Sequence, residues 1–162
     1  MTTATPLYGT PTAMTMTLAS LASDTNLVAG RESTAIDNGS IDAIDILVGG
    51  KVTTGTTPTT ARQIEVWAYA SYDGTEYAGS ATGSDANLTP GEKTCMRLLT
   101  VIPTVATSDK AYKWGPFSLA QAFGGSVPPK TGIYVVHNTA ANLNSTGGNH
   151  EVYYTSVKYE SS

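Results

Sequence analysis

Between residues 41 and 159 the apolar side chains fall in short runs that alternate with polar ones, and each run stops at a cluster of Gly, Pro, Asn or Asp. A period of two puts every second side chain on one face, as an extended strand does, and leaves no 3.6-residue stripe for a long helix to bury. Residues 62–70 are the plainest case. Ile64, Val66, Ala68 and Ala70 lie on one side, and Gln63, Glu65, Trp67 and Tyr69 on the other. The small and branched set is the better core face, which leaves Trp67 and Tyr69 on the more polar side, under a loop, in a groove or against a partner.

Further strands are expected over residues 14–21, with Met14, Met16 and Leu18 turned inward, and over 27–36, 41–52, 95–103, 131–137 and 150–159. Residues 95–103 carry apolar side chains on both faces and read as a central strand. Asp37-Asn38-Gly39-Ser40 and Asp73-Gly74 supply tight turns, because Asn and Asp before Gly accept the backbone angles these need. Residues 53–60, 78–91, 104–110 and 138–149 read as loops. Within residues 111–138, Gly115-Pro116 interrupts an aromatic run, residues 118–123 suit one helical turn, and Trp114, Phe117, Phe123, Ile133 and Val135 are the expected core or corner anchors.

Seven or eight strands with almost no helix predict an all-β domain of two packed antiparallel sheets, a jelly-roll or Greek-key sandwich first and an immunoglobulin-like one second. A length of 162 residues fits one domain. It is expected as an extended amino-terminal arm over residues 1–13, rich in Thr, Pro and Gly, and a single β-sandwich domain over 14–160.

Nine basic residues against thirteen acidic ones give a net charge of -4, and charged residues are 14% of the chain. With its basic residues scattered singly, the chain lacks the clustered cations that a nucleic-acid backbone requires. No apolar run is long enough for a membrane span, so neither nucleic acid nor membrane is an expected partner. Cys95 is the one cysteine, which excludes an intrachain disulfide and a four-thiolate metal site.

Candidate chemistry is sparse. His137 ends one predicted strand and His150 begins the next, so a hairpin would bring them together, but no third zinc ligand is fixed by spacing. Asp42 and Asp45 have opposite strand parity, and the pattern of a calcium loop is missing. Glu65 and Glu151 make a glycosidase-like pair only if both face one cleft. There is no Gly-x-Ser-x-Gly elbow and no phosphate-binding glycine loop. Catalytic residues, metal ligands and cofactors are therefore all expected to be none. The aromatic residues are the stronger lead. Trp67, Tyr69, Tyr72, Tyr77 and Tyr153 are the candidates for contact with a partner protein or ligand, with Trp114 and Tyr159 able to join them.

At Trp114-Gly115-Pro116-Phe117-Ser118, through Ala122-Phe123-Gly124-Gly125, then Gly132-Ile133-Tyr134-Val135-Val136 and Thr146-Gly147-Gly148-Asn149-His150, the chain resembles a group of small virion structural proteins of tailed bacteriophages. The resemblance covers about residues 14–159 and carries over no catalytic residue. It implies a location in the virion and a non-enzymatic role, first as a capsid decoration or cement protein that stabilises the head. The major capsid protein or other virion proteins are then the partners, in a homo-oligomer. A tail, neck or fibre-associated component is the second reading. A carbohydrate-binding module using the Trp67/Tyr69 face is the third.

Overall fold

Alternating side chains need two faces to bury. In the computed structural model, which describes residues 4–161, two antiparallel sheets supply them. In chain order the strands are β1 (Ala4–Tyr8), β2 (Thr12–Ala13), β3 (Gly30–Glu32), β4 (Ile36–Asp37), β5 (Asp45–Thr53), β6 (Arg62–Ser71), β7 (Ala86–Leu88), β8 (Arg97–Thr104), β9 (Ala111–Ser118), β10 (Lys130–His137) and β11 (Glu151–Ser161). Two single helical turns are α1 (Asn38–Ile41) and α2 (Leu119–Ala122). The first sheet runs β1-β11-β5-β9 with β2 also on β11; the second runs β7-β3-β10-β6-β8 with β4 also on β10. The pairing is nested: β1 and β2 meet β11, β3 and β4 meet β10, β5 meets β9, and β6 meets β8.

Between the sheets lies the main core. Ile46, Val48, Val52, Trp114 and Val152 from the first sheet meet Ile64, Val66, Ala68, Ile133 and Val135 from the second, with Leu18 and Leu119 closing the ends. Each fully buried Ile or Val contributes about 1.5–3 kcal/mol by leaving water. Phe117 and Phe123 are partly buried against this core, and Phe117 stacks on Trp114 at 6.4 Å. The turns are held by side chains. Ser118 accepts from Gln121 N–H at the start of α2, and Asp37 accepts from Gly39 N–H at the start of α1.

Several expectations change. The stretch expected as an arm pairs with β11 as the edge strands β1 and β2; residues 1–3 lie outside those described. Gly9 N–H donates to Ser156 O, so by alternation the nitrogen of Pro6 points away from β11 and its missing N–H breaks no rung. Residues 14–21 are not a strand, although Leu18 is buried and Met14 and Met16 pack on the core as expected. Residues 27–36 yield only the short β3 and β4, split where Ser33 turns inward to accept and donate at Ile133 and Thr34. Residues 95–103 are not central: β8 is an edge strand, with Leu98 and Val101 facing outward, and Cys95 sits exposed in the turn before it. Gly115-Pro116, with a cis peptide, bulges β9 rather than ending it.

One close approach fixes the centre of the second sheet. Gly132 lies directly opposite Tyr69 in the register, and a Cβ there would sit 2.3 Å from the tyrosine ring. Gly132→Ala should therefore cost about 2 kcal/mol by overpacking, read as a lower urea midpoint at unchanged slope. An unchanged midpoint would mean that Tyr69 has room to move.

Candidate functional site

The outer face of the second sheet is not free. The segment from Tyr72 to Met96 folds back over it, and a second apolar cluster forms beneath: Tyr69, Tyr134 and Val136 of the sheet against Ala81, Leu88 and Met96 of the segment. Three polar anchors hold this cover. Glu32, 1% exposed, accepts from Thr82 N–H at 2.9 Å, Thr82 Oγ1 at 3.0 Å and Gly83 N–H at 3.2 Å. Arg31 donates to Asp85 at 2.6 Å, and Asp85 also accepts from Thr17 N–H and Oγ1. Burial alone would raise the Asp85 pKa, but the hydrogen bonds from Arg31 and Thr17 hold it below the ordinary carboxylate value. Lys93 pairs with Glu65, donates to Leu27 O at 2.6 Å and lies 4.6 Å from the Trp67 ring centroid.

This cover separates the aromatic candidates. Tyr69 is fully buried and donates to Ser33 O at 2.5 Å, so it contacts nothing outside the chain; burial, with the Glu32 charge next, pushes its hydroxyl pKa upward. Trp67 donates to Glu65 Oε2 at 2.9 Å beneath Lys93. Tyr77 packs edge-on against Tyr69 at 5.7 Å. Tyr72 stands 83% exposed at the rim of a groove of about 800 Å³ that Tyr77, Phe123, Pro128, Glu92 and Arg97 also line. Tyr153 lies on the other sheet. The five residues therefore form no single platform.

The acid and histidine pairs dissolve as well. Glu65 is on the outer face of the second sheet and Glu151 on the first, with the core between them. Asp42 ends α1 at a positive φ of 55°, while Asp45 accepts from Ile46 N–H and Ala120 N–H. His137 ends β10 and His150 precedes β11 of the other sheet, so the hairpin does not form, although the two rings are near enough for His150 to add to the lowering that burial imposes on the His137 pKa. Each ring is held separately. His137 Nε2 donates to Leu21 O at 3.1 Å with Nδ1 opposite Thr139 Oγ1 at 3.0 Å, and His150 Nε2 donates to Asn144 O at 2.8 Å while Nδ1 accepts from Thr53 N–H at 3.4 Å. Among the described residues no three His, Cys, Asp or Glu side chains are grouped to hold a metal ion. No helix there is long and apolar enough to cross a membrane.

The outer face of the first sheet has no such covering segment, although Val157 on it is buried beside Tyr8 and Asp45. Register places Tyr153, Val157 and Tyr159 of β11 beside Ala13, Tyr8 and Pro6 on one flank, and Tyr153 and Thr155 beside Gly49 and Leu47 on the other. Tyr8, Tyr159 and Tyr153 are 64%, 62% and 40% exposed. Beyond Val157 the core has ended, and β1 with the end of β11 continues as a two-stranded ribbon whose β1 residues are all exposed. A shallow groove of about 530 Å³ crosses the opposite end, floored by Gly49 and Tyr153 and bounded by Pro116, Lys51, Lys113 and Glu151. There Lys51 bonds Glu151 at 2.7 Å, while Lys113, opposite Lys51 on β9, makes no ion pair among the described residues. Tyr8 and Tyr159 thus mark one end of the face, while Tyr153 lies with Lys113 and the Lys51–Glu151 pair at the other. No family model, curated protein or solved structure matches the chain.

Sequence reasoning reached Tyr153 and named Tyr159, but missed Tyr8, which sits between Pro6 and Gly9 in a stretch that carries no alternation. Its one signal was the aromatic itself, an isolated large side chain among Thr, Pro and Gly.

Proposed function

We propose that the chain is a non-enzymatic structural protein of a bacteriophage virion, a decoration protein that braces the head by packing against neighbouring capsid subunits, and that its sandwich is a jelly roll. The nested pairing supports the jelly-roll reading: taking β1/β2 and β3/β4 as single strands and β7 as an insertion, the first four strands pair with the last four in reverse order. That topology is shared by viral capsid and lectin domains.

The observation that carries the assembly reading is the asymmetry of the two outer faces. One is sealed by the chain's own Tyr72–Met96 segment, and the other exposes Tyr8, Tyr153 and Tyr159. An exposed apolar sheet face rimmed by charge is the form of a protein interface, and aromatic residues are its usual anchors. A two-stranded ribbon alone in water is marginal, so the β1/β11 end gains stability from whatever it packs on.

The carbohydrate-binding reading through Trp67 and Tyr69 lacks an accessible platform, because the Lys93 segment covers it. In purified particles, immunogold labelling is expected on heads, and Tyr153→Ala with Tyr159→Ala should cut the bound copies severalfold at unchanged folding. Particles that carry no copies would reject the reading. Labelling confined to tails would replace head decoration by the tail or neck role.

A further inference from the structure

We infer that the groove at Tyr72 is a binding site for an organic cation, a positively charged nitrogen carrying methyl or other apolar groups. The inference uses neither face of the first sheet and stands independently of the virion reading.

Three stretches far apart in the chain build the groove. β6 runs out at Ser71 into a turn that Asp73 holds, its Oδ1 accepting from Ser71 Oγ at 3.0 Å and from the Thr75 and Glu76 amides at 2.8 Å each. That turn brings Tyr72 and Tyr77 to the groove. Phe123, whose N–H donates to Leu119 O at the end of α2, and Pro128 come from the second stretch, where the chain turns at Gly124 and Gly125 with φ of 84° and 112°. The turn before β8 supplies Glu92, Cys95 and Arg97. At about 800 Å³, with mainly apolar walls and a few charged groups, the groove has the size and make-up of a small-ligand site.

Charge decides the class of ligand. Two carboxylates, Glu76 and Glu92, line the groove against one guanidinium, Arg97, and none of the three is in an ion pair among the described residues. The Cys95 thiol reports the sign of the local field. Its pKa is raised, first by the hydrogen bond to Glu92, then by burial and by the Glu92 charge, and the opposing effect of Arg97 is the smallest of the four. Aromatic faces attract cations, and Tyr72, Tyr77 and Phe123 bring three rings to the same groove. The 83% exposure of Tyr72 leaves its ring free for contact, unlike that of Tyr69. A primary ammonium brings three N–H donors that apolar walls leave unpaired, whereas a fully alkylated nitrogen has none to satisfy.

The test is an NMR titration of the full chain with three probes that share a ring and differ in charge: benzyltrimethylammonium, benzyl alcohol and benzoate. Benzyltrimethylammonium is expected to bind about tenfold tighter than benzyl alcohol, with benzoate weakest. Amide shifts should be confined to residues 70–80, 91–97 and 123–128. Glu92→Gln and Tyr72→Ala should each weaken the cation about fivefold or more, and Arg97→Gln should tighten it. All three side chains are exposed, so the variants keep the fold, and Tyr153→Ala on the other sheet should change nothing. Choline that binds without flotation of the protein on phosphatidylcholine vesicles assigns a free small molecule; flotation assigns a lipid headgroup carrying the same cation. Benzyl alcohol or benzoate bound as tightly as the cation, shifts elsewhere, or no saturation by about 10 mM overturns the inference.

Discussion

Glu32→Ala is expected to lower the unfolding free energy by about 4 kcal/mol, because it strips three donors of a fully buried acceptor at once. The carboxylate is 1% exposed and has no cation beside it among the described ion pairs, so its charge is stabilised by the Thr82 and Gly83 amides and the Thr82 hydroxyl. With alanine there, both amides point into a low-dielectric gap that the β3 backbone cannot fill. The covering segment then lifts at its middle, and Tyr69, Tyr134 and Val136 meet water. Urea unfolding measures the loss, and amide exchange locates it: protection should fall over residues 78–90 and along β10 before it falls in β5 or β9. Glu32→Gln keeps one acceptor oxygen but turns an NH₂ toward the remaining donors, so its cost should be about half. A loss below about 1 kcal/mol for the alanine variant would mean that Arg31–Asp85 and Lys93–Glu65 hold the segment unaided.

Acid is expected to destabilise the fold well before its carboxylates titrate. His137 is fully buried, and burial lowers its pKa from 6.5 to about 4, with the Leu21 hydrogen bond only partly opposing this and His150 adding to it. Because the folded value lies below the unfolded one, the unfolded chain takes up the proton first on acidification. Stability is therefore complete above about pH 6.5, is lost as pH falls toward about 4, and loses nothing more from this group below that. The full loss is roughly 3 kcal/mol. His150, whose pKa burial also lowers, works in the same direction. Burial, not hydrogen bonding, sets the shift. Leu21 O requires the proton on Nε2, and in the neutral ring Nδ1 gains no donor from Thr139 Oγ1, whose hydrogen goes to Ala141 O. Urea midpoints at pH 7, 5.5 and 4.5 should fall steadily. In His137→Gln the slope should flatten to what His150 contributes, and a wild-type midpoint constant between pH 7 and 4.5 would contradict the argument.

The sequence revealed strands more readily than it revealed what covers them. The parity of residues 62–70 is realised in β6, with Ile64, Val66 and Ala68 in the main core, because period-two alternation is enforced by the pleat itself. The burial of Tyr69 was hidden because the segment that seals it, residues 78–91, has neither alternation nor bulk and grips through backbone amides and single charged side chains. Such contacts leave no period in a sequence. β1 and β2 were hidden for another reason: Pro6, Gly9 and Pro11 read as breakers, yet an edge strand needs hydrogen bonds on one side only. The misplacement of residues 95–103 has the same root, since apolar side chains on both faces describe a strand covered on both sides and also an edge strand that leaves some bare. For the exposed face, sequence supplied Tyr153 and Tyr159 but not their neighbours, which come from the register of four strands far apart in the chain.

The proline at the rim of the first sheet bears on how a crowd of these molecules behaves. At high local density a bare strand edge can recruit the next and run on into fibres. Here the free border of β1 lacks a donor at its midpoint, so a ladder growing from that edge would lose its central rung.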